Sequence, residues 1–180
     1  MATRLAPLVL AIGVLAIGRS AVSASAGEQP EPDLKAELIE RFTRFVDWES
    51  LPETMMICVV GDTPIKAQLQ KIARRQTIKG RRARVLTVVA EDVADCQVVL
   101  IAGEDPDQLH AVLARTNGRP ILSISESPGA AAAGTIINLY LEDQHVRFEI
   151  NTSAAKHARL TLRSKLLKLA RIVGGETSAP

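Results

Sequence analysis

The sequence of 180 residues predicts one three-layer α/β sandwich with a mostly parallel sheet. Two observations carry this prediction. Short apolar runs bounded by turn residues alternate with segments whose apolar residues recur every three or four positions, which indicates strands alternating with helices. Near the end, two β-rich runs are separated by a short polar turn, which indicates a hairpin forming an antiparallel edge. We therefore expect a Rossmann-like or flavodoxin-like sheet covered on both faces.

The individual elements follow from caps, turn residues and periodicity. Asp33 is a good N-cap for the first helix, and Thr63-Pro64 is a typical start for the second. The pair Gly174-Gly175 is expected to end a long closing helix. The predicted elements are helices over 33–47, 64–75, 106–116 and 152–173, strands over 56–61, 84–89, 97–102 and 120–125, and hairpin strands over 135–141 and 145–150.

The N-terminus predicts export. Arg4 precedes an apolar stretch over 5–17, and Ala24 and Ala26 form the A-x-A pattern of a cleavage site. The stretch is shorter than the roughly 20 residues that span a bilayer, although an uncleaved anchor is the alternative. We predict a signal peptide over 1–26, a flexible leader over 27–32, one domain over 33–174 and a disordered tail over 175–180.

The charge balance argues against nucleic-acid binding. Residues 27–180 carry 20 basic and 20 acidic side chains, and only five aromatic residues that could stack on bases. The charges fall in blocks, with eight basic residues and no acid over 66–84, and six acidic residues and no base over 91–107. Such blocks are either solvated faces or surfaces that steer a partner of opposite sign.

The sequence lacks the usual catalytic motifs, which predicts no enzyme, no cofactor and no metal site. The sequence has no glycine-rich phosphate loop, and no G-x-S-x-G surrounds the serines near the fourth strand. The histidines lie on separate elements without the spacing of metal ligands. The residues concerned are His110, His145, His157, Ser123, Ser125 and Ser127.

The two cysteines predict a disulfide. Cys58 lies in the first strand and Cys96 immediately precedes the third, and these strands are neighbours in a 2-1-3 strand order. In an oxidising compartment such a pair usually forms a bridge, whereas two buried thiols are the alternative.

Several ordered segments resemble the YfiR family of small periplasmic proteins. They are ERFTRFVDWE, ICVVGDTP, IKGRRARVL and DCQVVLIAGED, followed by the stretch GRPILSISESPG through RFEIN to SKLLKLARIV. The resemblance extends over about 34–173. A second cysteine pair that the best-known relatives carry is absent from the sequence. The resemblance implies a regulator, dimeric like its relatives, that binds the periplasmic region of an inner-membrane diguanylate cyclase and represses it.

Polar residues on and after the hairpin are the candidate partner contacts, together with two arginines of the closing segment. The candidates are Asn138, Arg147, Glu149, Asn151, Arg163 and Arg171. Arg147 and Glu149 share a strand face, so they could equally form an internal ion pair. The alternative function is a periplasmic small-molecule sensor or carrier, which would use a crevice at Asp62, Ser125, Ser127 and Gly129.

Overall fold

The computed structural model describes residues 30–174, so the predicted signal peptide and tail lie outside the described residues. The helices are α1 Glu31–Phe45, α2 Ile65–Arg75, α3 Pro106–Thr116, α4 Ala130–Ala133, α5 Thr152–His157 and α6 Ser164–Leu167. The strands are β1 Val46–Asp47, β2 Thr54–Val60, β3 Arg82–Thr87, β4 Val98–Ile101, β5 Leu122–Ser125, β6 Ile137–Glu142, β7 His145–Asn151, β8 Thr161–Leu162 and β9 Arg171–Val173. A 3-10 helix, Ala90–Asp95, precedes β4.

Seven of these strands form one sheet in the order β3-β2-β4-β5-β6-β7-β9. The strands from β3 to β6 are parallel, and β7 returns antiparallel to β6. The mostly parallel sheet is confirmed, and β3 and β4 flank β2 in the predicted 2-1-3 order. The hairpin is not the edge, however, because β9 pairs parallel with β7 on its outer side.

Apolar side chains fill both faces of the sheet, as the continuous apolar strands require. Successive residues of β2 point in opposite directions, so Ile57 packs on one face and Cys58 on the other. The first face is covered by α1 and α2 through residues such as Phe42 and Leu69. The second is covered by α3 and the 3-10 helix, with Val112 among the buried residues. This arrangement confirms the three-layer sandwich.

The predicted disulfide is confirmed between Cys58 and Cys96, whose Cα atoms lie 6.0 Å apart. It links the middle of β2 to the residue that follows the 3-10 helix. Both cysteines are buried in the second-face core. The bridge therefore fixes β2, the neighbour of the edge strand β3, to the end of the 3-10 helix.

The predicted closing helix over 152–173 is wrong. The chain forms α5 and then turns at Arg159, whose φ of 54° lies in the left-handed region and ends the helix. After that turn, β8 pairs antiparallel with β1, and β9 pairs with β7. Hydrogen-bonding partners up to 116 residues away for β8 and 22 residues away for β9 therefore override the apolar spacing that favoured one helix.

Two boundaries near loops also differ from the prediction. The first helix begins at Glu31, with Pro30 at the N-cap, so Glu31 and Pro32 are helical rather than part of a flexible leader. The alanines after Gly129 form the one-turn helix α4 between two glycines with positive φ, Gly129 and Gly134. Glycine tolerates that conformation without a steric penalty, so the turn can reverse sharply at both ends.

Candidate functional site

Four polar residues form a row across adjacent strands near the β9 edge. Ser125 is paired in register with Asn138, Asn138 with Glu149, and Glu149 with Arg171. Side chains of register partners lie on the same face of a sheet, so the row is continuous from the buried strand β5 to the exposed strand β9. Three of the predicted partner residues and one of the predicted crevice residues are thus brought together.

The row ends in an ion pair between a buried carboxylate and an exposed guanidinium. Glu149 is buried, and its carboxylate accepts hydrogen bonds from Arg171 through Nε, at 3.0 Å, and Nη2. The Arg171 guanidinium also lies 4.9 Å from the ring centre of Tyr140, within range of a cation–π contact. The hydrogen bond with Glu149 raises the pKa of Arg171. This pair attaches β9 to the sheet and keeps one positive group at the surface.

Two buried asparagines support the row. Asn138 donates through Nδ2 to Glu149 at 3.3 Å, whereas its Oδ1 has no hydrogen-bond partner among the described residues. Asn151 caps α5 by accepting from the Ala154 amide at 2.8 Å, and it donates to the Ala131 carbonyl at 2.8 Å. Because both side chains are buried, any effect they have on a partner acts through the position of their neighbours.

Arg147 shares the face of Glu149 but does not pair with it. Its exposed guanidinium lies 3.6 Å from Glu142, which directly precedes the hairpin turn. The internal Arg147–Glu149 ion pair considered from the sequence is therefore wrong, since Arg171 occupies the carboxylate. Arg147 is free to contact another molecule at little cost, because such exposed pairs contribute little stability.

Arg163 belongs to a separate cluster around Asp47. Both oxygens of Asp47 accept from Arg163, each at 2.9 Å, and Lys79 donates to the same carboxylate at 2.8 Å. The hydrogen bonds from Arg163 and then Lys79 hold the pKa of Asp47 well below its ordinary value. Lys79 also lies 5.7 Å from the ring centre of Trp48. This cluster joins the turn before β3 to the segment before β9, a link that the sequence did not predict.

The crevice predicted at the carboxyl ends of the strands is mostly closed by internal hydrogen bonds. Ser125 and Ser127 are buried, their hydroxyls lie 3.2 Å apart, and Ser127 donates to the Gly103 carbonyl at 2.6 Å. Asp62 and Gly129 are exposed. The two hydroxyls therefore position the loop that leads to α4.

Apolar side chains are exposed beside the β9 edge. Leu169 is 77% exposed and Ile172 is 45% exposed. Lys165 and Lys168 are exposed nearby on the same segment and form no ion pair within the part of the chain that the structure describes. The sequence prediction missed this surface, because the same leucine and isoleucine fit the apolar stripe of the expected helix.

Two cavities lie near the candidate residues. One, of about 460 Å³, is lined by Thr116, Ser123, Asn151 and His157. The other, of about 710 Å³, lies between the start of α1 and the hairpin and includes Leu141 and Arg147.

Among residues 30–174, no cluster of histidine, cysteine or acidic side chains could hold a metal ion. The same residues include no helix that is long and apolar enough to cross a membrane.

A family model described as YfiR/HmsC-like matches residues 32–171. The chain belongs to this family. Its fold is also similar to two solved structures. One is an ABC domain from Streptococcus pneumoniae in complex with L-Trp, with a TM-score of 0.54 and 11% identity over 79% of this chain and 62% of that chain. The other is a conserved domain protein from Vibrio cholerae, with a TM-score of 0.52 and 13% identity over 79% of this chain and 60% of that chain.

At these identities the two solved structures bear on the fold alone. This chain covers less than two thirds of the length of either. The family membership, in contrast, extends over nearly the whole described domain and bears on function, because the family is regulatory and periplasmic.

Proposed function

We propose that this YfiR/HmsC-like chain is a periplasmic regulatory protein that represses a membrane-bound diguanylate cyclase, or another membrane sensor, by binding its periplasmic region. The observation that carries the proposal is the family match over residues 32–171. The predicted signal peptide supports a periplasmic location. The polar row has no catalytic role in this function, since the Glu149 carboxylate and the Arg171 guanidinium are already paired with each other.

We place the partner surface at the β9 edge. Exposed Leu169 and Ile172 provide the apolar centre that protein interfaces usually have. Lys165, Lys168 and Arg171 supply a basic rim, so the partner segment should be acidic at its margins. An edge strand also offers unpaired backbone groups to an extended partner segment.

The other predicted partner residues have different parts in this proposal. Arg147 is placed to contact the partner directly from the hairpin, and Arg171 does so while holding β9. Buried Asn138, Glu149 and Asn151 position the edge from beneath. The Arg163–Asp47 pair fixes the segment that precedes the edge.

The homodimer implied by the family resemblance is part of the proposal, but at another surface. A symmetric pairing of two β9 edges would bring the lysines of both copies together. Like charges at such a contact are unfavourable, so the basic rim favours an acidic partner over a second copy.

The variant Leu169→Asp tests the partner surface. It should weaken binding to the periplasmic region of the membrane sensor and raise the cyclic-di-GMP made by the cyclase in cells. The reason is that it places a charge in the apolar centre of the surface. The matched control is Val89→Asp, an exposed apolar residue (58%) just beyond β3 at the other edge. Equal loss of binding in both variants, or in neither, would contradict the assignment, provided that both melt like the wild type.

A small-molecule sensor is the second candidate function. The 460 Å³ cavity supports it, because Thr116, Ser123 and His157 bring polar groups to a partly apolar space. A thermal-shift screen of amino acids, including the L-Trp bound by the structural neighbour, tests this candidate. A bound ligand at 100 times its Kd would add about 2.7 kcal/mol of stability. Loss of the shift in Ser123→Val would assign the ligand to this cavity.

A further inference from the structure

Four arginines lie around one corner of the β3 edge, on both sides of the edge strand. Arg74 lies in the last turn of α2, and Arg81, Arg82 and Arg84 lie at the start of β3. In a β-α-β crossover the helix runs opposite to the strands, so its C-terminal end and the start of the following strand meet at the same end of the sheet. Arg82 and Arg84 share the face of the strand opposite to α2, about 7 Å apart, because Ala83 and Val85 point toward the α2 side. We call these four residues the arginine corner.

The arginine corner is exposed and lacks partners within residues 30–174. All four side chains are exposed, and none forms an ion pair there. The register partners of Arg82 and Arg84 on β2 are Thr54 and Met56, neither of which is acidic. The positive charge at this corner is therefore not neutralised by the strand beside it.

The composition of the corner distinguishes it from the β9 edge. The large apolar residues that are exposed in the described structure are Val89, Leu141, Leu169 and Ile172, and none belongs to the corner. Protein interfaces usually have an apolar centre with a polar rim, which this corner lacks. Binding to the phosphates of an anionic lipid surface requires only exposed cations.

We propose that the arginine corner docks the protein on an anionic phospholipid surface. Guanidinium groups bind phosphate oxygens through paired N–H donors, and several of them together give reversible attachment. If the proposed function is right, this attachment also leaves the β9 strand, at the opposite edge of the sheet, available to a membrane-bound partner. The lipid binding itself does not depend on that function.

Co-sedimentation with vesicles tests the proposal, using the chain without its predicted signal peptide (residues 27–180). It should bind vesicles of phosphatidylglycerol and phosphatidylcholine in equal parts, and not vesicles of phosphatidylcholine alone. Raising NaCl from about 0.1 M to about 1 M should release it, because the screening length falls from about 10 Å to about 3 Å. The triple variant Arg81→Glu, Arg82→Glu, Arg84→Glu should bind at least on the order of 100-fold more weakly.

A charge-matched variant distinguishes the effect of this corner on vesicle binding from the effect of net charge. Lys156→Glu, Lys165→Glu and Lys168→Glu reverse three other exposed bases, and this variant should keep its vesicle binding. Equal losses in the two triple variants would overturn the docking site, as would failure of the wild type to bind anionic vesicles. Binding to polyglutamate but not to vesicles would instead assign the corner to an acidic protein. The corner variant should still bind the sensor's periplasmic region, so the two proposals can fail separately.

Discussion

At one edge of the sheet β3 presents Arg82 and Arg84 to solvent, whereas at the other edge Leu169 and Ile172 are exposed beside and on β9. Charged side chains on an edge strand discourage pairing with other chains, and exposed apolar ones favour it. The longer edge, with six residues in β3, carries exposed arginines, and the three-residue edge carries exposed apolar residues with a basic rim. The two edges therefore differ in the chemistry that they expose to solvent.

The regions near the two edges of the sheet are also held by different interactions. The Cys58–Cys96 disulfide secures the β3 end, whereas the Glu149–Arg171 ion pair secures the β9 end. Asp47 connects them, since it binds Lys79 in the turn before β3 and Arg163 before β9. The covalent link therefore fixes β2, the strand next to β3, whereas β9 is held by its pairing with β7 and by an ion pair that a charged partner could influence.

The largest effect on stability is expected from the Cys58–Cys96 disulfide. Replacing both cysteines, in Cys58→Ala with Cys96→Ala, should lower the free energy of unfolding by up to about 4 kcal/mol, because the bridge closes a long loop in the unfolded chain. Urea unfolding measures the loss, and reduced wild type should match the variant. Hydrogen exchange should increase most in β2 and β3. A loss below about 1 kcal/mol, or exchange that increases mainly in β9, would contradict the difference between the ends.

A smaller effect is expected at the β9 end. Glu149→Leu removes the acceptor of three hydrogen bonds and leaves the buried Asn138 amide unpaired, so the free energy of unfolding should fall by about 2 kcal/mol. The β9 amides should exchange faster in hydrogen-exchange measurements. The control Glu142→Leu affects an exposed carboxylate and should change stability by less than about 1 kcal/mol. Equal losses in the two variants would mean that the buried pair does not hold the edge.

The smallest effect is expected at Asp47, which pairs with both Lys79 and Arg163. Asp47→Asn should lower the free energy of unfolding at neutral pH by about 1 kcal/mol, a small value because the cluster is partly exposed to solvent. The folded-state pKa of Asp47 is depressed, so its contribution is present above the ordinary value of 3.8 and is lost as pH falls below it. Unfolding measured across pH should therefore show wild type and variant converging in acid. A difference that persists in acid, or one that Asp143→Asn reproduces, would exclude this role.

Local patterns in the sequence were sufficient for most of the sheet. The apolar runs and their turn residues predicted β2, the crossover helix α2 and the β6–β7 hairpin, and the 2-1-3 order then placed Cys58 beside Cys96. These predictions succeeded because a buried parallel strand and a tight hairpin each leave a signal within a few residues. The family resemblance was also carried by short ordered segments, and the match over 32–171 confirms it.

The candidate site could be predicted only in part. The sequence indicates Asn138, Glu149 and Arg171 as separate polar residues, but their alignment in one row depends on strand register, which shifts every side chain when it slips by one residue. Ser125 and Ser127 were placed at the correct end of the sheet, yet their hydroxyls are used internally. No local pattern indicates which polar groups will satisfy one another.

The sequence by itself determined the α/β class, the strand order around β2, the disulfide and the family. The tertiary structure alone decided the last part of the chain, where β1 and β7 supplied pairing partners for residues that read locally as helix. It thereby also created the β9 edge with its exposed Leu169 and Ile172. The physical reason is that edges and registers are set by backbone hydrogen bonds between distant segments, whereas helices and turns are set by neighbours along the chain.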